Sequence, residues 1–205
     1  MIVVGLTGSI ATGKSFVARC FLKLGAAVFD ADKTVHELLT FGGEAVQPVR
    51  QLFPDSYHEG EICRKKLGEV VFSDDIKRKK LEKIIHPLVD KRRREFLEKC
   101  KKDRVKIAIL EIPLLFEMER QSLCDYVVVT TVDSYTQEKR ALERNGMTKE
   151  KFDAVNSLQM ASRDKVRKAD FVIDTSFSEF AVFREVKGVI NKILGVEDGK
   201  KSGNL

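Results

Sequence analysis

Eight consecutive residues, Gly8-Ser9-Ile10-Ala11-Thr12-Gly13-Lys14-Ser15, have the types and spacing needed to hold a phosphate chain. Two glycines bracket four residues and are followed by Lys and Ser, the Walker-A pattern. Glycine lets backbone N–H groups turn inward around phosphate oxygens with no Cβ in the way. A helix beginning behind the loop adds unpaired N–H groups and a favourable dipole. Lys14 is placed to reach the β- and γ-phosphates of a nucleotide, and the Ser15 hydroxyl to hold Mg²⁺. The alternative, a glycine-rich turn before an ordinary helix, leaves Lys14 without a task.

A bound phosphate needs further groups if it is to be transferred. Asp32 is the candidate on the acceptor side, where a carboxylate can orient a hydroxyl, accept its proton, or hold Mg²⁺ through water. Asp30, two residues earlier, is read either as its support or as a helix-capping turn residue. Glu111 ends an apolar run where a second magnesium-side carboxylate can stand, or is a plain strand-end charge. Pro113-Leu114-Leu115-Phe116-Glu117 offers an apolar wall with one carboxylate, suited to an organic substrate or to a core. Arg140 and Arg144 fall one helical turn apart, and an arginine fork there can neutralise charge on a transferring phosphoryl group. Gln137 and Gln159 are possible hydrogen-bonding partners in the same region, and Arg163 can close over a nucleotide. His36, His58 and His86 are too scattered for a metal site. His36 can line an acceptor pocket, and His86 can contact substrate or be structural.

These residues require a scaffold of alternating strands and helices. Continuous apolar runs at 2–6, 26–29, 105–112, 126–130 and 171–173 read as strands buried on both faces. Helices are expected over 14–24, 33–40, 44–52, 63–72, 74–100, 134–145, 148–160 and 179–194, with turns at Ser73 and at Pro87 and a fraying polar tail. This is an α/β fold with a parallel central sheet covered by helices, whose ligands bind beyond the carboxyl ends of the strands. That rule puts the Walker-A loop, Asp30, Asp32 and 111–117 on one rim. The stretch between Asp32 and Val105 exceeds a simple crossover and reads as an inserted all-helical, substrate-facing subdomain.

The 205 residues suffice for one α/β core with such an insertion. No apolar run is long enough to cross a membrane, and the N-terminus lacks a basic region and cleavage site, so no secretory leader is expected. Four cysteines form no C-x-x-C pair; Cys20 and Cys124 read as buried thiols in a reducing, cytoplasmic setting. The net charge of +6 is uneven: residues 77–104 hold thirteen Lys/Arg against five Asp/Glu. This stretch suits a solvated helix face, an anionic small ligand or nucleic acid. Its few aromatics make it a poor stacking platform.

Taken together, these motifs resemble the dephospho-coenzyme A kinase family. The resemblance is carried by Gly5-Leu6-Thr7-Gly8-Ser9-Ile10 running into Gly13-Lys14-Ser15, by Asp30-Ala31-Asp32, His86-Pro87, 113–117, Gln137 with Arg140 and Arg144, Gln159, and Ala169-Asp170 before Val172-Ile173-Asp174. It implies transfer of the ATP γ-phosphate to the ribose 3′-hydroxyl of dephospho-CoA with Mg²⁺, by a monomer or weak homo-oligomer that binds neither nucleic acid nor membrane. It implies a nucleotide core at 1–35, 103–134 and 168–196, a CoA-binding part at 36–102, a lid at 135–167 and a tail at 197–205. Catalytic roles then fall to Lys14, Asp32 and Arg140. Nucleotide contacts fall to residues 8–16, ending at Phe16, and to Arg140, Arg144 and Thr175. Acceptor contacts fall to Thr7, Asp32, His36, His86, Pro113, Leu114, Leu115 and Glu117, and metal contacts to Ser15 and Asp32. The family usually has Asn where this chain has Thr175, in a loop implied to lie near the adenine. Thr12 and Val155 also depart from its usual pattern. Two rivals remain: another small P-loop kinase acting on a nucleoside, nucleotide or shikimate-like alcohol, and a nucleotide-gated nucleic-acid binder.

Overall fold

The computed structural model describes residues 1–72 and 74–195; the turn expected at Ser73 and the tail at 197–205 lie outside the described residues. Two compact units emerge among the described residues, one formed by 1–28 and 104–195, the other by 29–103.

The first unit is built on strands β1 (Ile2–Gly8), β5 (Ile107–Glu111), β6 (Tyr126–Thr131) and β7 (Phe171–Asp174), with β2 (Ala27–Asp30) completing a five-stranded sheet of order β2-β5-β1-β6-β7. β1 pairs in parallel with both β5 and β6, and β6 with β7. Every residue of β5 is buried, as expected of a strand covered on both faces. Helices α1 (Lys14–Lys23) and α9 (Glu179–Leu194) supply part of that cover. α1 turns Val17, Ala18 and Phe21 inward, and α9 turns in Val182, Val186 and Val189. Fully burying a side chain such as Phe21 is worth about 2–3 kcal/mol. Ser178 caps α9 through the Ala181 N–H, and Gly195, at φ 66°, ends it in the left-handed turn that glycine tolerates.

Between β6 and β7 stand α6 (Ser134–Leu142), α7 (Lys149–Ser157) and α8 (Ser162–Arg167). Asp133 caps α6 and Thr148 caps α7. α8 is not among the helices that the sequence indicated. Of the two cysteines read as buried, Cys20 is, whereas Cys124 is half-buried; Cys100 is the other buried thiol, and none forms a disulfide.

The second unit holds α2 (Ala31–Leu39), α3 (Val46–Leu52), α4 (Arg64–Phe72) and α5 (Asp75–Lys102). It is not all-helical: β3 (Tyr57–His58) and β4 (Glu61–Ile62) form a small antiparallel hairpin. Its tip contains Glu59 and Gly60, both at positive φ, the tight geometry that closes such a ladder. A core of Leu38, Val46, Val49, Phe53, Ile62 and Ile85 holds the unit together. The break expected at Pro87 is absent. α5 runs straight through it, because Ile84, Ile85 and Leu88 anchor the helix on both sides and Pro87 itself is exposed. Much of the basic charge on α5 is paired at the surface, with Lys91 and Arg92 both reaching Glu44.

Candidate active site

The glycine-rich loop joins β1 to α1, the strand–loop–helix context that a phosphate site needs. Gly13 precedes the helix at φ 79°, and a Cβ there would meet Thr175 Oγ1 at 2.9 Å, so both backbone conformation and space demand glycine. Ala11 also adopts a positive φ, 60°, which is uncommon for a residue with a Cβ.

The hydroxyls of the loop have distinct tasks. Thr12 Oγ1 donates to Ser9 O at 2.9 Å and lies 2.7 Å from Thr130 Oγ1, so this buried side chain braces the loop from within. Ser15 Oγ donates to Glu111 Oε1 at 3.1 Å. Glu111 is 6 % exposed, at the carboxyl end of β5, beside β1 in the sheet. Hydroxyl and carboxylate oxygens suit Mg²⁺, which takes one or two protein oxygens and completes its shell with phosphate and water. The residues present therefore fit that ion. Glu111 is the group that sequence reasoning left undecided between metal side and strand end.

Arg140, in α6, uses its fork on one residue: Nη1 donates to Thr175 Oγ1 at 2.9 Å and Nη2 to Thr175 O at 2.8 Å. Thr175 Oγ1 in turn lies 3.0 Å from Thr12 O, which it can donate to. Thr175 is thus buried, and it links the arginine to the glycine-rich loop. Beside it lies a cavity of about 280 Å³ lined by Gly13, Phe16, Arg140, Arg144, Thr175 and Phe177. Guanidinium and aromatic planes of this kind suit a nucleobase.

Several expected ligand contacts are otherwise engaged. Leu115 is fully buried and Phe116 nearly so, which makes the centre of 113–117 core rather than an exposed wall. Leu114 is partly exposed, and the Pro113 carbonyl accepts from Thr7 Oγ1 at 2.9 Å, so Thr7 also serves the scaffold. Glu117 accepts from the Met160 N–H at 2.9 Å and forms a 2.8 Å ion pair with Lys165. Burial alone would push the Glu117 carboxyl up; the Lys165 hydrogen bond and backbone N–H groups outweigh it and hold the carboxyl below its ordinary value. Lys165 is fully buried, and sequence reasoning missed it. One lysine in a chain with 37 Lys and Arg gives no signal until the fold brings a carboxylate to it.

The second unit carries the remaining candidates. Asp30 caps α2, accepting from the Lys33 N–H at 2.9 Å, which settles the choice left open for it. Asp32 is exposed in the first turn of α2, and His36 is exposed one turn further on. His86 is half-buried on α5. Among the described residues, no group of three or more His, Cys, Asp or Glu is arranged to hold a metal ion by itself.

Comparison with known proteins gives a consistent result. Residues 2–179 match the family model described as dephospho-CoA kinase. A dephospho-CoA kinase of Rhodopseudomonas palustris is 39 % identical over 191 residues, covering 93 % of this chain and 95 % of the relative. A solved structure from Thermus thermophilus superposes with a TM-score of 0.81 at 27 % identity, covering 97 % of this chain and 98 % of that one. A dephospho-CoA kinase from Campylobacter jejuni gives 0.69 at 29 % identity, covering 93 % and 96 %.

Proposed function

This chain belongs to the dephospho-CoA kinase family, and from that premise we propose how its residues divide the transfer of the ATP γ-phosphate to dephospho-CoA. The enzyme is an ATP-dependent kinase that yields CoA and ADP; the assignment of individual roles rests on the geometry. The observation that carries it is the Ser15–Glu111 hydrogen bond directly behind Lys14. A hydroxyl joined to a buried carboxylate, one residue after the lysine that would meet the β- and γ-phosphates, supports a Mg²⁺ site there.

In this reading the loop amides and Lys14 hold the phosphates and offset charge that builds on the transferring group. Ser15 and Glu111 hold Mg²⁺, which neutralises oxygen charge when bound. The adenine occupies the cavity beside Thr175, between Arg144, Phe16 and Phe177. Arg140 spans Thr175 with two N–H groups, and since a guanidinium has five such donors, about three remain for the nucleotide. Asp32 accepts the proton of the ribose 3′-hydroxyl and aligns it for in-line attack. The unit formed by 29–103 recognises the acceptor, with His36, His86 and the cationic face of α5 attracting the pyrophosphate of dephospho-CoA. Residues 135–167 act as the lid. The surface pairing of α5 supports a small anionic ligand over nucleic acid, and the free thiols support a cytoplasmic enzyme.

Two substitutions separate these roles. Asp32→Asn leaves ATP affinity within about twofold and lowers turnover by roughly 10²–10⁴. Lys14→Ala lowers turnover by roughly 10²–10³ through lost transition-state charge stabilisation. Calorimetric ATP titration beside a coupled ADP-release assay measures both. Loss of ATP binding in Asp32→Asn with normal acceptor handling would make Asp32 a metal or folding residue instead.

A further inference from the structure

One residue of the phosphate loop is gripped from two sides by side chains outside it. The Ile10 N–H donates to Gln159 Oε1 at 2.9 Å, and Gln137 Nε2 donates to Ile10 O at 2.8 Å. The backbone fixes the polarity of both contacts: an N–H must find an acceptor, and a carbonyl a donor. The next residue is Ala11, in the left-handed conformation at φ 60°. That conformation is costly for a residue with a Cβ and persists only where its surroundings hold it. Thr12 pins the far side of Ala11 through Ser9 O and Thr130. The near side is pinned by the two glutamines.

Both glutamines are themselves placed firmly. Gln137 lies in the second turn of α6, whose first turn is capped by Asp133. Gln159 adjoins Met160, whose N–H is held by Glu117, and Glu117 is held by the buried Lys165. Apolar packing joins the same parts, because Ile10 and Ala11 rest against Ala141 of α6 and Phe152 of α7. The Ile10 N–H is therefore turned to Gln159.

We propose that Gln137 and Gln159 are positioning residues: by holding the two peptide groups of Ile10 they keep Ala11 in its left-handed turn and hold the phosphate loop in its binding shape. The proposal rests on the nucleotide reading of the loop. It predicts a polarity rule that general loss of packing does not. Gln159→Glu still presents an acceptor to the Ile10 N–H. Gln137→Glu presents no donor and repels the Ile10 carbonyl.

The test is hydrogen exchange of the loop amides in the nucleotide-free protein, paired with steady-state kinetics. Gln159→Ala and Gln137→Glu should speed exchange across residues 10–13 roughly tenfold, while Gln159→Glu keeps it near the parent rate. The KM for ATP should rise roughly tenfold in Gln159→Ala and Gln137→Glu, with the KM for dephospho-CoA unchanged. Unchanged exchange in Gln159→Ala and Gln137→Glu overturns the clamp, as does equal disruption of the loop by Gln159→Glu and Gln137→Glu. A rise confined to the KM for dephospho-CoA also overturns it. Because exchange is read without nucleotide, failure of the clamp and failure of the ATP reading of the loop remain distinguishable.

Discussion

The Glu117–Lys165 pair makes a residue-scale prediction that any stability measurement can check. Lys165 is fully buried and Glu117 partly so, and removing one member of such a pair leaves the other uncompensated. Lys165→Met should cost roughly 3 kcal/mol in urea unfolding, and adding Glu117→Gln should restore part of it. The pair also sets an acid dependence. The folded carboxyl of Glu117 lies below its ordinary value, so its contribution is full above the unfolded pKa and is lost as pH falls through the folded one. The parent enzyme should therefore lose more stability than Glu117→Gln on passing from neutral pH to below the carboxylate range. Equal losses in the two proteins would assign the pair no such role. At this scale the sequence was readable where chemistry is local. Lys14 and Ser15 declare themselves by spacing within one loop, whereas Lys165, Glu111 on Ser15 and Thr175 on Arg140 depend on partners 35 to 96 positions away, or nearly fifty for Lys165. Asp30 shows the reverse difficulty. Its residue type suited two roles, and only the Lys33 N–H at its carboxylate decided between them.

Elements were legible where pattern and punctuation agreed. α9 falls where its apolar spacing places it, and β5 reads as a continuous apolar run because both its faces are covered. Agreement failed where tertiary packing overrode a local signal. Pro87 lacks a backbone N–H and should interrupt a helix, yet α5 runs unbroken through it over its 28 residues because its apolar stripe is anchored on either side. The hairpin of β3 and β4 was invisible because two-residue strands carry no periodicity. The centre of 113–117 reads equally as wall or core, and burial of Leu115 and Phe116 made it core. The cost that α5 bears at Pro87 is measurable. Pro87→Ala restores a donor in an exposed helix interior and should raise stability by about 1–3 kcal/mol, seen as a higher thermal midpoint. A lower midpoint would mean that the proline ring is needed where it stands.

For the molecule as a whole, the roles divide between two compact units. Phosphate loop, Glu111, Arg140, Thr175 and the glutamine clamp belong to the sheet-bearing unit, and Asp32, His36 and His86 to the helix-rich one. On the assignment proposed above, the sheet-bearing unit carries the phosphate chemistry and the helix-rich one selects the acceptor. A shikimate kinase from Acinetobacter baumannii has a related fold, with a TM-score of 0.52 at 14 % identity over 97 % of this chain. The family match over residues 2–179 takes in the whole of the helix-rich unit and most of the sheet-bearing one. The most direct test of the account is therefore the acceptor itself. The purified enzyme is incubated with ATP, Mg²⁺ and an equimolar mixture of dephospho-CoA, shikimate and a nucleoside monophosphate, and the products are resolved by mass spectrometry. The account predicts that dephospho-CoA alone gains one phosphoryl group, on its ribose 3′-oxygen, with one ADP formed per CoA. Dephospho-CoA recovered unchanged while shikimate or the nucleotide is phosphorylated would contradict it.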